Sequence, residues 1–160
     1  MLLASIVGLS LIALFMIIRY KKPGFLASVA LGFYVWLLLF VFYGIDATLS
    51  LAGIAGFLLT IGMAVDANVL IFERIREEMR RMSPVEAIEA GFSRATLAIV
   101  DSNLTTIIAA VILYQFGTGP IRGFAVTLTL GIIASMFTAI FVSRVIFTIW
   151  MRKPGRKLSI

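Results

Sequence analysis

The chain has 160 residues, is 61% hydrophobic, carries a formal net charge of +6 and contains neither Cys nor His; its mean hydropathy is +1.09. An apolar share this far above the roughly 45–50% of soluble domains excludes water as the main solvent. The missing thiols and imidazoles remove disulfides, thiolate nucleophiles, imidazole bases and the commonest metal ligands, so no cofactor or metal is expected.

The first apolar run covers residues 1–18 and is closed by Arg19, Lys21, Lys22, Pro23 and Gly24, which stop a helix at a headgroup surface. It lacks the basic start and small-residue cleavage site of a signal peptide, so it reads as a helix. A second run covers 25–43. The third covers 48–72, long enough to cross a bilayer with tilt, and carries Asp66 and Asn68. The one long polar stretch, 73–94, reads as a helical loop in which Glu77 has the spacing to pair with Arg80 and Arg81. Within it, Ser83-Pro84-Val85-Glu86 forms a capping box with proline at the first helical position, which predicts the start of a short second helix. The fourth run, 96–116, carries Asp101, Asn103, Thr105 and Thr106, and Gly117-Thr118-Gly119-Pro120 ends it. The fifth covers 124–151. The expected fold is an all-α, polytopic bundle of five spanning helices forming one domain over residues 1–160.

The basic residues fall between the apolar runs, where they report topology and not nucleic-acid binding. Twelve of them (Arg19, Lys21, Lys22, Arg74, Arg76, Arg80, Arg81, Arg94, Arg152, Lys153, Arg156 and Lys157) share one side, against Arg122 and the acidic Asp46 on the other. The positive-inside rule therefore predicts a cytoplasmic carboxyl terminus and an external amino terminus. An external amino terminus without a signal leads us to expect a segment upstream that delivers it there.

Asp66 lies about six residues from the end of its run and Asp101 about five residues into the next, which puts both carboxyls roughly 8–9 Å from the same surface. An aspartate deep in a bilayer costs about 2.5–3.5 kcal/mol on insertion scales, so it faces protein or a water-filled cavity. Taking up a proton removes its charge, which makes Asp66 a candidate proton acceptor and donor, the proton-coupling residue; the alternative is that Asp66 and Asn68 only hold helices together by hydrogen bonds, or that Asp66 is hydrated from the nearby surface. Asn68, Asp101, Asn103, Thr105 and Thr106 form a polar set able to support it or to join helices by hydrogen bonds. Small residues recur every four positions as Ala52, Gly56, Thr60 and Ala64, and again as Thr127, Gly131, Ser135 and Ala139; both stripes suit close helix packing. Arg144 is near enough to an end of its run to snorkel to the surface. No other cation in the chain lies at the depth of Asp66, so a deep cationic partner is expected from another chain.

The segment Gly62-Met63-Ala64-Val65-Asp66-Ala67-Asn68-Val69-Leu70-Ile71-Phe72-Glu73-Arg74-Ile75-Arg76-Glu77-Glu78 closely resembles the fourth-span signature of the SecD/SecF protein-export family. Asp101-Ser102-Asn103-Leu104-Thr105-Thr106 resembles the start of that family's next span, and Phe116-Gly117-Thr118-Gly119-Pro120 onward its turn into the last. The Asp66-Ala67-Asn68 context is similar to the SecD side and not the SecF side. Ala52 departs from the family, where a proline is common.

The resemblance implies a relative of the resistance-nodulation-division transporters that uses the proton motive force to help preproteins leave the SecYEG channel. It implies a bacterial inner-membrane location, with SecF, SecYEG, preprotein and lipid as partners. It implies that Asp66 is the essential carboxylate, that its arginine comes from SecF, and that a first span and a large extracytoplasmic domain precede this region. Two other readings remain open: another proton-coupled exporter of the superfamily, or a purely structural subunit. No nucleophile and base pair supports an enzyme.

Overall fold

The computed structural model describes residues 2–44 and 50–151. They form α1 (Leu2–Gly44), α2 (Leu51–Glu78), α3 (Pro84–Phe116), α4 (Gly119–Phe137), a π-helical turn (Thr138–Val142) and α5 (Ser143–Met151). Asp46, the start of the third run at Thr48, and the basic residues Arg152, Lys153, Arg156 and Lys157 lie outside the described residues. Pro23–Gly44, Leu51–Glu78, Pro84–Phe116 and Gly119–Ile149 are each long and apolar enough to cross a membrane. The first arm of α1, helical from Leu2, supplies the fifth helical run of the all-α bundle.

The two arms of α1 meet at Lys21, whose backbone (φ 51°, ψ −115°) leaves the helical region. An L residue holds such a conformation at a cost of about 1–3 kcal/mol, which the surrounding packing offsets. The chain doubles back there. Gly24 lies so close to the Met16 carbonyl that a Cβ would not fit, and Ile12 of the first arm packs against the cluster of Leu31 and Tyr34 on the second.

α2 is the central helix and touches α1, α3 and α4. It starts at Ser50, whose hydroxyl accepts from the Gly53 amide at 3.1 Å. The two small-residue stripes face each other in parallel register. A Cβ at Gly131 would sit 2.5 Å from Thr60 Oγ1, and one at Gly56 would meet Thr127 and, at 3.2 Å, the Phe124 carbonyl. The backbones therefore approach closely, and dispersion contacts along this seam are what join helices in lipid. Ser135 lies buried on the same face.

The polar stretch 73–94 is not a loop with a helix of its own. α2 runs on through Glu78, residues 79–83 turn the chain, and the helix begun at Pro84 continues into the next span without a break. Glu86 does cap this start, accepting from the Ser83 amide at 3.1 Å and its hydroxyl at 2.7 Å. No proline follows to stop the helix, and Gly91 lets α3 lie directly on Ile75, where a Cβ would be 2.8 Å from the backbone nitrogen. Glu77 pairs with Arg74 at 2.9 Å and not with Arg80 or Arg81, because helical spacing ends before those two are reached.

Candidate functional site

Asp66 stands on the open side of α2, facing a groove of about 360 Å³ between α2 and α3. Met63, Ala67 and Leu70 line it from α2; Ile99, Ser102, Asn103 and Thr106 line it from α3. The α3 polar groups are held by their own helix. Asn103 Nδ2 donates to the Ile99 carbonyl at 2.7 Å, Ser102 Oγ to the same carbonyl at 3.1 Å, and Thr106 Oγ1 to the Ser102 carbonyl at 3.4 Å. Among the described residues, no side chain hydrogen-bonds or ion-pairs with the Asp66 carboxylate.

The polar set named from the sequence divides here. Asn103 and Thr106 join Asp66 in the groove, while Asp101 and Thr105 do not. Successive helical residues turn by about 100°, so residues two apart face nearly opposite ways. Asp101 and Thr105, each two positions from Asn103, share another exposed strip of α3 on which Thr105 Oγ1 donates to the Asp101 carbonyl at 3.3 Å. Ser102, which the sequence singled out only as part of the family-like segment from Asp101 to Thr106, is part of the groove.

Asn68 is also absent from the groove, for the same angular reason. It is buried on the opposite face of α2, where its amide donates to the Ala64 carbonyl at 3.1 Å and its Oδ1 accepts from Ser143 Oγ at 2.8 Å. Ser143 closes the π-helical turn, and its hydroxyl also lies 3.3 Å from the Thr138 carbonyl. π-turns inside helices frequently mark functional regions. Neither this turn nor Ser143 was named from the sequence; a serine in an apolar helix gives no hint of an inserted residue. Above this link, Tyr34 donates to Thr60 Oγ1 at 2.8 Å across α1 and α2.

At the charged end, ion pairs and rings tie the helices together. Glu78 is only 3% exposed in its side chain and meets Arg94 at 2.5 Å. Glu73 accepts from Tyr20 at 3.0 Å, with Arg76 at 3.7 Å and Arg19 at 4.0 Å. Burial first, and then the Glu73 hydrogen bond, push the Tyr20 hydroxyl above its ordinary 10.0, so it stays a donor at neutral pH. Arg144 is exposed and lies 3.9 Å from Glu89. Beneath the charges, Phe72 packs against Tyr20 and Phe147 with centroids 5.5 and 5.4 Å apart, and Phe92 lies 5.9 Å from Phe147.

The family model of the protein export membrane protein SecD/SecF, C-terminal, matches residues 1–153. The chain belongs to the SecD/SecF family. It is 54% identical to the protein translocase subunit SecD of Calditerrivibrio nitroreducens over 98% of its own length and 31% of that protein. It is 62% identical to the SecD subunit of Syntrophobacter fumaroxidans over 91% of its length and 27% of the relative. The chain thus spans about a third of the curated relatives it matches. Its fold matches that of SecDF, a translocon-associated membrane protein from Thermus thermophilus, with a TM-score of 0.94 and 40% identity, covering 99% of this chain and 22% of that one. The resemblance drawn from the Asp66 segment therefore holds: this is a SecD-like, multi-pass membrane domain.

Proposed function

We propose that this domain is the membrane part of a SecD-type subunit, and that it uses the proton motive force to assist preprotein export through the SecYEG channel. The observation that carries the proposal is the Asp66 carboxylate, set on a helix long and apolar enough to span a membrane, in an open groove, with no cation beside it among the described residues. An intramembrane carboxyl left without a partner is costly unless protonated, hydrated or met by a cation. Asp66 alternates between the protonated form and an ionised form paired with a guanidinium supplied by SecF. Ser102, Asn103 and Thr106 flank that exchange. The change in charge biases α2 between two packings, and the extracytoplasmic part of the subunit follows. The charged end, with Glu73, Glu78 and Arg94, faces the cytoplasm in this reading, as the distribution of basic residues directs.

The test is preprotein secretion in cells whose SecD is the full-length subunit carrying Asp66→Asn, measured with and without a proton gradient. Loss of the gradient-dependent part at normal membrane abundance supports the reading. Gradient-sensitive export at the normal rate reduces Asp66 to a structural residue.

A further inference from the structure

The hairpin of α3 and α4 carries a groove that is separate from the Asp66 site. It has a volume of about 400 Å³ and lies between the last turns of α3 and the middle of α4. The buried Ala110 and Ala125 line it together with Val111, Tyr114, Val126 and Leu130. Thr129 also borders it, but its hydroxyl donates to the Ala125 carbonyl at 2.9 Å, inside its own helix. Below Tyr114 the groove therefore asks no hydrogen bond of its occupant, and hydrocarbon satisfies it.

Its mouth is different. Positions 122, 126 and 129 advance by steps of four and three, so Arg122 stands one turn before Val126 on the same strip of α4. The Arg122 guanidinium lies 5.9 Å from the centroid of the Tyr114 ring, across the hairpin. Both side chains are exposed, and among the described residues Arg122 ion-pairs with no carboxylate. This is the end opposite Glu78 and Arg94, because α3 runs from Pro84 beside them to Phe116. An arginine and a tyrosine at the rim of an apolar surface suit the headgroup level of a bilayer.

The extent of the groove distinguishes between occupants. From position 122 to position 130 is about 12 Å of helix, against roughly 15 Å for one leaflet's half of the hydrocarbon core. A spanning helix would need an apolar seam along most of α3 or α4, whereas this groove ends at Ala110 and Leu130. An acyl chain hung from the headgroup level ends close to where the groove does.

We propose that the α3–α4 groove is a binding site for one anionic phospholipid, with its phosphate on Arg122 and an acyl chain laid along Val126 and Leu130. The guanidinium forks onto the phosphate oxygens with paired N–H donors, and the Tyr114 ring holds it over the mouth. A headgroup that carries its own amine gains less here, since the amine already offsets the phosphate charge. The inference goes beyond the reading of Asp66 and does not rest on it.

The test uses the full-length subunit assembled with SecF in lipid nanodiscs. Phosphatidylglycerol and phosphatidylcholine, each with a diazirine in the acyl chain, are photolysed in parallel and the adducts mapped by peptide mass spectrometry. Adducts on the exposed Trp36 and Phe40 of α1 report bulk lipid. The ratio of phosphatidylglycerol to phosphatidylcholine adducts at the groove is expected to be at least fivefold the ratio at α1. Arg122→Gln should bring it down to the α1 value, while Arg122→Lys, which keeps the charge, should retain at least half of the enrichment. Val126→Trp fills the groove and should remove both adducts there without changing those on α1. Equal ratios at the two places in the parent overturn the site, as does an enrichment that survives Arg122→Gln. Absence of either adduct from the groove while α1 is labelled overturns it too, since protein and not lipid then covers this face.

Discussion

Asp66 and Asn68 are two residues apart on one helix, yet they occupy opposite environments. Asn68 is 3% exposed and joined to Ser143 of the last span, on the face where Gly56 and Thr60 lie against Thr127 and Gly131. Asp66 is exposed, and Ala67 and Leu70 beside it border a groove. One face of α2 is committed to holding the bundle together, and the other is left open. On the proposed reading, the closed side keeps the neighbours of α2 in register, and a change of charge on the open side alters the packing at small cost.

The comparison can be broken by substitutions whose effects on stability should fall in order. The largest belongs to the closed seam. Gly131→Leu forces a side chain into Thr60 and is expected to destabilise the domain by about 3 kcal/mol, read by denaturant unfolding in micelles. Asn68→Ala removes the link to Ser143 and should cost about 1 kcal/mol. A double-mutant cycle with Ser143→Ala should assign most of that loss to the pair, and independent losses would show that Asn68 acts elsewhere. Gly62 offers the contrast, since a Cβ there meets nothing within 4 Å. Gly62→Ala should stabilise by about 0.5–1 kcal/mol, through the helix preference of alanine alone.

Asp66→Asn should change stability by less than about 0.5 kcal/mol, since no partner among the described residues is lost. A loss as large as that of Asn68→Ala would mean that the open face also holds the fold. The smallest effect lies outside the membrane. The Ser83 hydroxyl, and then its amide, hold the Glu86 carboxyl below its ordinary 4.5. A lowered value means the cap is fully present above 4.5 and is lost as the pH falls through the lower folded value. The protection of the Ala87 and Ile88 amides, taken relative to the exchange rate of an unstructured peptide at the same pH, should therefore fall only in acid and stay unchanged between pH 6 and pH 8.

Much of this was legible in the residues themselves. Long uncharged runs can satisfy their backbones in lipid only as helices, so the all-α bundle followed from hydropathy alone. The four-residue stripes of Gly56 and Thr60, and of Gly131 and Ser135, marked the closest seam because small side chains admit a neighbouring backbone. Spacing also separates Asp66 from Asn68, and Asn103 from Asp101 and Thr105, by about 200° around their helices. It does not say which direction is inward.

Composition, charge placement and the Asp66 segment determined the solvent, the helical class and the family, because those depend on local hydropathy and on runs of identity. Only the tertiary structure decided that Asn68 is the buried partner and Asp66 the open one. It also placed Ser102, Asn103 and Thr106 across from Asp66, and inserted a π-turn at Thr138–Val142 where Ser143 meets Asn68. Those outcomes depend on the rotation of each helix about its axis, and that angle is fixed by which small side chains on two distant segments fit together.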